Sequence, residues 1–336
     1  MLKKMIAMLM MVTLLAIVAA CSNGGEGASS NESGDGEKVT LRLGHIANES
    51  DAWHKGAEKF AELVKEKTNG SVEVEIYPSS TLGNDRDLIE GMQLGSVDFA
   101  LVAGVLSNFY EPYSILELPY LFRDNEHLES VLYGDVGTKL KDDLLANAQV
   151  RGLEFWVRGP RVLTANRSIE TAADLEGLKI RVPEIPASIA AWEAMGSTPT
   201  PMAFGEVYSS LQTGVIDAQE NPLALIASNK FSEVQSHLML TNHVYGYVLL
   251  AMSDLTYQKL TEDQQKAVEE AAKEATEFEN NLVYEQEAEL LEQLKEEGMT
   301  VVEPDTSTFI EKAKTVHEEF ANESGKELYE SIVNTK

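Results

Sequence analysis

The chain reads as an α/β protein of two lobes. Strand-like and helix-like segments alternate along most of its 336 residues, and alternation of that kind implies a largely parallel sheet with helices on both faces. About 300 residues remain after an N-terminal leader and tether, more than one core usually holds. Two stretches, Met92-Gln-Leu-Gly-Ser-Val-Asp98 and Leu211-Gln-Thr-Gly-Val-Ile-Asp217, share Gln, Gly and Asp at matching places. So short a match is weak evidence alone, yet it fits two similarly built units.

Residues 1–20 carry Lys3 and Lys4 and then an apolar run to Ala20, the pattern of an export signal. Val18-Ala-Ala-Cys21 places small residues directly before the chain's single cysteine. That resembles a bacterial lipobox, whose cysteine is lipidated and becomes the new N-terminus; a plain signal peptide with an incidental Cys21, or an uncleaved anchor, are the other readings. With one cysteine there is no disulfide, so the core must stand on packing. Residues 21–37 are small and polar and read as a flexible tether. No later stretch has membrane-spanning length.

The formal net charge is −28, and loss of the leader, with two lysines and no acid, takes it to −30. Such an excess argues against nucleic acid and anionic lipid as partners. An anionic ligand would have to be captured locally, against the long-range field.

The elements follow in order. Val39 to Leu43 alternates as a strand does, and Ser50 to Lys67 has helical spacing with Phe60, Leu63 and Val64 on one face before Asn69-Gly70. Val72, Val74 and Ile76 alternate again. A helix from Asp85 to Leu94 stops at Gly95, and Val97 to Val102 is a mostly apolar strand. Val162 to Asn166 and Leu178 to Val182 are strand-like, the second ending at Pro183. Thr261-Glu-Asp-Gln264 is a capping box opening one helical pattern that runs to Gly298, about 50 Å long. A helix of that length touches both lobes.

Motifs for catalysis are missing. No nucleophile elbow, phosphate-binding loop, zinc-binding His pair or cysteine cluster occurs, and the six histidines are dispersed. Each histidine reads as a surface or core residue; His45 and His54 are the least bland, because they flank the loop after the first strand, where α/β sheets bind ligands. No catalytic residue, cofactor or metal is expected.

The arginines are unevenly placed. Five of eight lie between Arg151 and Arg181, and guanidinium grips carboxylates bidentately, so the cluster points to an anion site. Arg181 alternates with Ile180 and Val182 and faces away from them. Taken alone it would read as a surface salt bridge.

The surrounding motifs change that reading. Asp174-Leu-Glu-Gly-Leu-Lys-Ile-Arg-Val-Pro183, Thr198 to Tyr208 with Met-Ala-Phe204, Leu211-Gln-Thr-Gly214 and Asp217-Ala-Gln-Glu-Asn-Pro222 occur in that order. With Tyr77-Pro-Ser-Ser80, Leu82-Gly-Asn-Asp-Arg86 and Leu118-Pro-Tyr120, the chain from about Val39 to its end resembles the substrate-binding proteins of TRAP transporters, the DctP family. The resemblance implies a periplasmic-binding-protein-like fold, each lobe a mixed or mostly parallel sheet flanked by helices, with a long helix spanning both. It places lobe I at 38–158 plus 247–286 and lobe II at 159–246 plus 287–336.

By motif position the resemblance assigns the ligand's carboxylate to Arg181, with Arg161 as a second carboxylate or hydroxyl contact. Asn221 would hydrogen-bond the same carboxylate, Phe204 would supply an apolar wall, and Asp85 would line the opposite lobe. Arg151, Arg158 and Arg167 receive no ligand contact. Sialic-acid-binding members carry a glutamate where this chain has Ala103, which weakens a sialic acid reading. Glu184 beside Arg181 favours sugar hydroxyls over a second carboxylate, unless it points to solvent. A sugar acid, uronate or aldonate, is therefore expected ahead of a C4-dicarboxylate. His45 completes the candidate ligand-binding set.

The function so implied is an extracytoplasmic receptor, monomeric, lipid-anchored at Cys21 to the outer face of the membrane. It would deliver its acid to a permease of small and large integral subunits. A binding protein feeding a sensor kinase, or an exported carboxylate-processing enzyme, are the alternatives.

Overall fold

The protein's structure is a computed structural model that describes residues 38–336. The leader, the tether and Cys21 lie outside the described residues. Among the described residues nine strands form one sheet: β1 (Val39–Gly44), β2 (Val72–Tyr77), β3 (Phe99–Val102), β4 (Val150–Ala165), β5 (Lys179–Val182), β6 (Thr198–Pro201), β7 (Ala218–Pro222), β8 (His237–Ser253) and β9 (Thr300–Val302). Their order is β2-β1-β3-β8-β4-β7-β5-β6, with β9 on β8.

That order reads the same from either end. β1 pairs parallel with β2 and β3, as β5 does with β6 and β7. β3 then meets β8, and β7 meets β4, both antiparallel. Between them β4 and β8, 16 and 17 residues long, pair antiparallel along the molecule. The sheet is therefore mixed, parallel toward each edge and antiparallel in the middle, within what the family resemblance implies, where alternation alone predicts it largely parallel. The reason is that two strands each serve both halves, and they run in opposite directions.

The seven-residue echo lies at equivalent places in these halves. Gly95 and Gly214 both end helices in the left-handed region, at φ 69° and 72°, where glycine escapes the Cβ clash. Three residues on, Asp98 donates its backbone N–H to the Arg42 carbonyl while its carboxylate accepts from Arg42 N–H at 2.8 Å. Asp217 and Lys179 repeat both bonds, the carboxylate one at 3.1 Å. In each half the aspartate anchors the central parallel strand to the strand that follows the helix.

Alternation along β3 and β8 feeds two cores. Phe99, Leu101, Val248, Leu250 and Met252 pack with Phe60, Val64 and the long helix. Ala100, Val102, Tyr247, Leu249 and Ala251 face Leu88, Ile89 and Met92 on the other side. A third core joins Leu163, Ile180, Val182, Trp192 and Phe309. The long helix spans Glu262–Glu296, N-capped by Thr261 through the predicted capping box. At 35 residues it runs about 50 Å. Lys67 pairs with its Glu274 at 2.6 Å, Val157 donates to its Asn280 at 2.9 Å, and Ser232 bonds Glu297 just past its end.

Candidate binding cleft

Both sets of parallel strands end at one cleft, the position where open α/β sheets take ligands. Ile46 follows β1, Ala103 to Val105 follow β3, Pro183 and Glu184 follow β5, Met202 to Phe204 follow β6, and Asn221 lies at the end of β7. Trp53, Asp85, Arg158, Arg161 and Arg181 complete the essential walls, and the space, with its open mouth, is about 550 Å³.

Arg181 lies on β5 opposite Ile180 and Val182, which go to the third core. It is 3% exposed. Its Nε–H and Nη2–H both donate to the Met202 carbonyl, at 3.1 and 2.8 Å, and its carbon centre stands 5.9 Å over the Phe204 ring. No carboxylate of the described residues pairs with it. Burial first, then Arg161 and Arg158, pull its pKa down to about 10, against the opposing pull of Glu220 and Asp85. It remains a cation at neutral pH.

Arg161 is placed differently. Its guanidinium grips Glu220 through Nε and through Nη2, the latter at 2.7 Å to the carboxylate and 2.6 Å to the backbone carbonyl. His243 Nε2–H donates to the same carboxylate at 2.9 Å, and His243 Nδ1 accepts from Thr241 at 2.8 Å. Burial alone would raise the Glu220 pKa, yet Arg161 and the bonds from His243 and Arg161 hold it down at about 2. Arg161 thus lines the cleft already neutralised, unlike Arg181.

Asn221 is buried, and its amide donates to Gln219 at 2.6 Å, which donates on to Thr164 at 2.9 Å. Asp85 begins the helix Asp85–Leu94, capped by Asn84. Burial, opposed by Arg158 and Arg181, raises its pKa to about 6. Glu184 is exposed at the rim, and its carbonyl accepts from Asn108 at 2.8 Å. The solvent-facing alternative for this glutamate is the one its exposure favours, so it gives little ground against a second carboxylate.

His45 requires correction. It is fully buried, bonded to His54 at 3.1 Å, and is not among the cleft residues. Burial, then His54, drops its pKa to about 3, so it carries no charge for an anion. The loop it opens does reach the cleft, through Ile46 and Trp53.

Two functional neighbours escape the sequence reading. Arg158, set aside there, lines the cleft at 8% exposure, with Trp53 beneath it at 5.5 Å. Glu220 sits inside the quoted Gln-Glu-Asn-Pro motif, where an acid buried between two cleft-facing strands would have signalled a cationic partner. Of the remaining arginines, Arg151 pairs with Asp254 at 2.6 Å and Arg167 donates to the Asp174 carbonyl at 2.7 Å.

A mirrored α/β sheet with a cleft lined by buried arginines at its strand ends suits a solute receptor. The chain belongs to the bacterial extracellular solute-binding proteins, family 7 (DctP), whose family model matches residues 43–324. A TRAP periplasmic solute-binding protein from Roseobacter denitrificans OCh 114, solved with bound L-galactonate, superposes with a TM-score of 0.85 at 44% identity. The match covers 88% of this chain and 99% of that one. A second such protein, from Polaromonas sp. JS666 and bound to D-erythronate, gives 0.86 at 36% identity over 89% and 99% of the two chains. The 2,3-diketo-L-gulonate-binding periplasmic protein of Escherichia coli is 37% identical over 268 residues, 78% of this chain and 80% of its own length. This chain is thus an extracytoplasmic solute receptor of the TRAP type.

Proposed function

We propose that this receptor binds a sugar acid in the cleft, with the carboxylate on Arg181, and hands it to a TRAP permease. The observation that carries the reading is a buried guanidinium with no carboxylate partner at the end of β5. An isolated buried charge is costly, and a bound carboxylate supplies the missing partner through bidentate, charge-assisted bonds. Phe204 walls the site, and Asn221 stands at the cleft end of β7 as a further amide. Relatives at 44, 36 and 37% identity, solved or described with galactonate, erythronate and diketogulonate, support a sugar acid ahead of a C4-dicarboxylate, for which relatives at 33 and 30% are named or solved.

The halves divide at 38–158 plus 247–286 and 159–246 plus 287–336, and the mirrored strand order supports that division. Across the proposed division Asn108 donates to the Glu184 carbonyl and Asn48 to the Ser228 carbonyl, at 2.8 and 2.5 Å, contacts that suit a closed form. Ligand stabilises this closed form by its greater affinity for it. The receptor acts as a monomer, without catalysis, held to the outer membrane face by lipid at Cys21.

A thermal-shift screen of aldonates, uronates, keto acids and C4-dicarboxylates tests the reading, since a ligand of the folded state raises the melting temperature. Sugar acids are expected to give the largest shifts. The assignment fails if only non-acids shift it. Cys21→Ala is expected to release the protein from membranes.

A further inference from the structure

β4 and β8 lose register between Val157 and Pro160: Val157 opposes Tyr247 and Pro160 opposes Tyr245, so Arg158 and Gly159 share one partner, Gly246. Two residues against one is a β-bulge, a device that re-aims a side chain. Gly159 takes φ +73°, the left-handed region that makes this bulge inexpensive for glycine. Opposite, a Cβ on Gly246 would come within 3.0 Å of Arg158 Cδ and 3.2 Å of its Cγ. The strand pair is shaped to seat this arginine in the cleft.

Once seated, Arg158 has no ion pair among the described residues, and its buried Nε–H has no acceptor. Glu117, whose buried Oε1 also lacks a partner, influences it electrostatically and does not reach ion-pair distance. Arg161 is satisfied by Glu220, which leaves Arg158 and Arg181 as the two cleft cations without a carboxylate. A guanidinium is a planar fork of donors with nothing to accept. An sp² oxygen accepts from that fork and brings no hydrogen of its own, whereas a hydroxyl that accepts from it must place its hydrogen on some other acceptor.

We infer that Arg158 determines specificity by binding a second carbonyl-type oxygen of the ligand, keto or carboxylate, in addition to the carboxylate held at Arg181. The solute class narrows accordingly to keto sugar acids and sugar dicarboxylates. The inference rests on the sugar-acid reading above and sharpens it.

Calorimetry on two matched pairs tests it. Galactarate differs from galactonate only in its far-end carboxylate, and 2-keto-L-gulonate from L-gulonate only in its keto group. In at least one pair the wild type is expected to bind the carbonyl-bearing member about tenfold tighter, a gap of about 1.4 kcal/mol. Arg158→Gln is expected to bring that ratio within about twofold, while Arg181→Ala weakens both members. If the glutamine variant fails to fold, Arg158→Lys, which keeps the charge and loses the fork, is expected to cut the ratio at least threefold. No preference in either pair, or a preference that survives these changes, overturns the inference alone. Failure of all four acids to bind the wild type overturns it together with the sugar-acid reading.

Discussion

Arg181 spends Nε–H and one Nη2–H on a single acceptor, the Met202 carbonyl, at 3.1 and 2.8 Å. The bond fixes the plane of the guanidinium and leaves its remaining donors unclaimed by the chain. A preordered fork loses less entropy on gripping a carboxylate than a free one.

Arg181→Ala is therefore expected to weaken binding of the acid found by screening by about 2 to 5 kcal/mol, and Arg181→Lys to restore little, because the ammonium cannot reproduce the fork. Calorimetry decides this. An alanine variant within threefold of wild type would remove Arg181 from the site.

Glu220 holds Arg161 and His243 at once. Glu220→Gln leaves a buried guanidinium uncompensated and is expected to cost about 3 to 5 kcal/mol at neutral pH. The pH dependence has a definite sign. The folded pKa, about 2, lies below the ordinary 4.5, so the stabilisation is complete above 4.5 and is lost as the pH falls toward 2. Urea unfolding across that range should show the slope in wild type and a flatter profile in the variant.

Asp85 behaves in the opposite way. Its pKa is raised to about 6, and a bound anion in the same cleft raises it further. Binding then takes up protons, so affinity should decline as the pH climbs from about 5.5 to 7.5. Asp85→Asn should reduce that slope. An identical slope in the variant would show that the proton goes elsewhere.

The two helix-ending glycines supply a stability test of the mirrored build. Nothing crowds a Cβ at Gly214, and at Gly95 only Leu255 approaches, at 3.4 Å. Gly→Ala at either site should therefore cost about 1 to 2 kcal/mol for the left-handed backbone alone. Thermal unfolding giving markedly unequal costs would mean that the halves do not share this joint.

Much of this architecture can be read in the residues. The helices at Ala52–Lys67, Asp85–Leu94 and Glu262–Glu296 follow their periodicity and caps to within two residues, since those signals are local. The centre of the sheet does not. Gly159-Pro160 and Thr241-Asn242-His243 interrupt apolar patterning inside β4 and β8, so each long strand looks like shorter pieces. Arg181 is legible because its strand alternation and motif agree. Arg158 is not, because a bulge, set by pairing with a strand some ninety residues away, decides where it points. His45 misleads for a related reason: a place after a strand says nothing about which neighbours cover it.

The two long strands also bear on how the molecule comes apart. Each runs through both halves: Val150–Val157 pairs with Tyr247–Ser253 beside β3, and Pro160–Ala165 pairs with the first part of β8 beside β7. The first core joins residues of both halves, Val268 and Leu225 among them, so melting one half uncovers apolar surface of the other, and a single calorimetric transition is expected, its van't Hoff and calorimetric enthalpies equal. Opening to admit solute is then expected to flex the two crossing strands near the bulge at Val157–Pro160, with the ribbon itself kept intact.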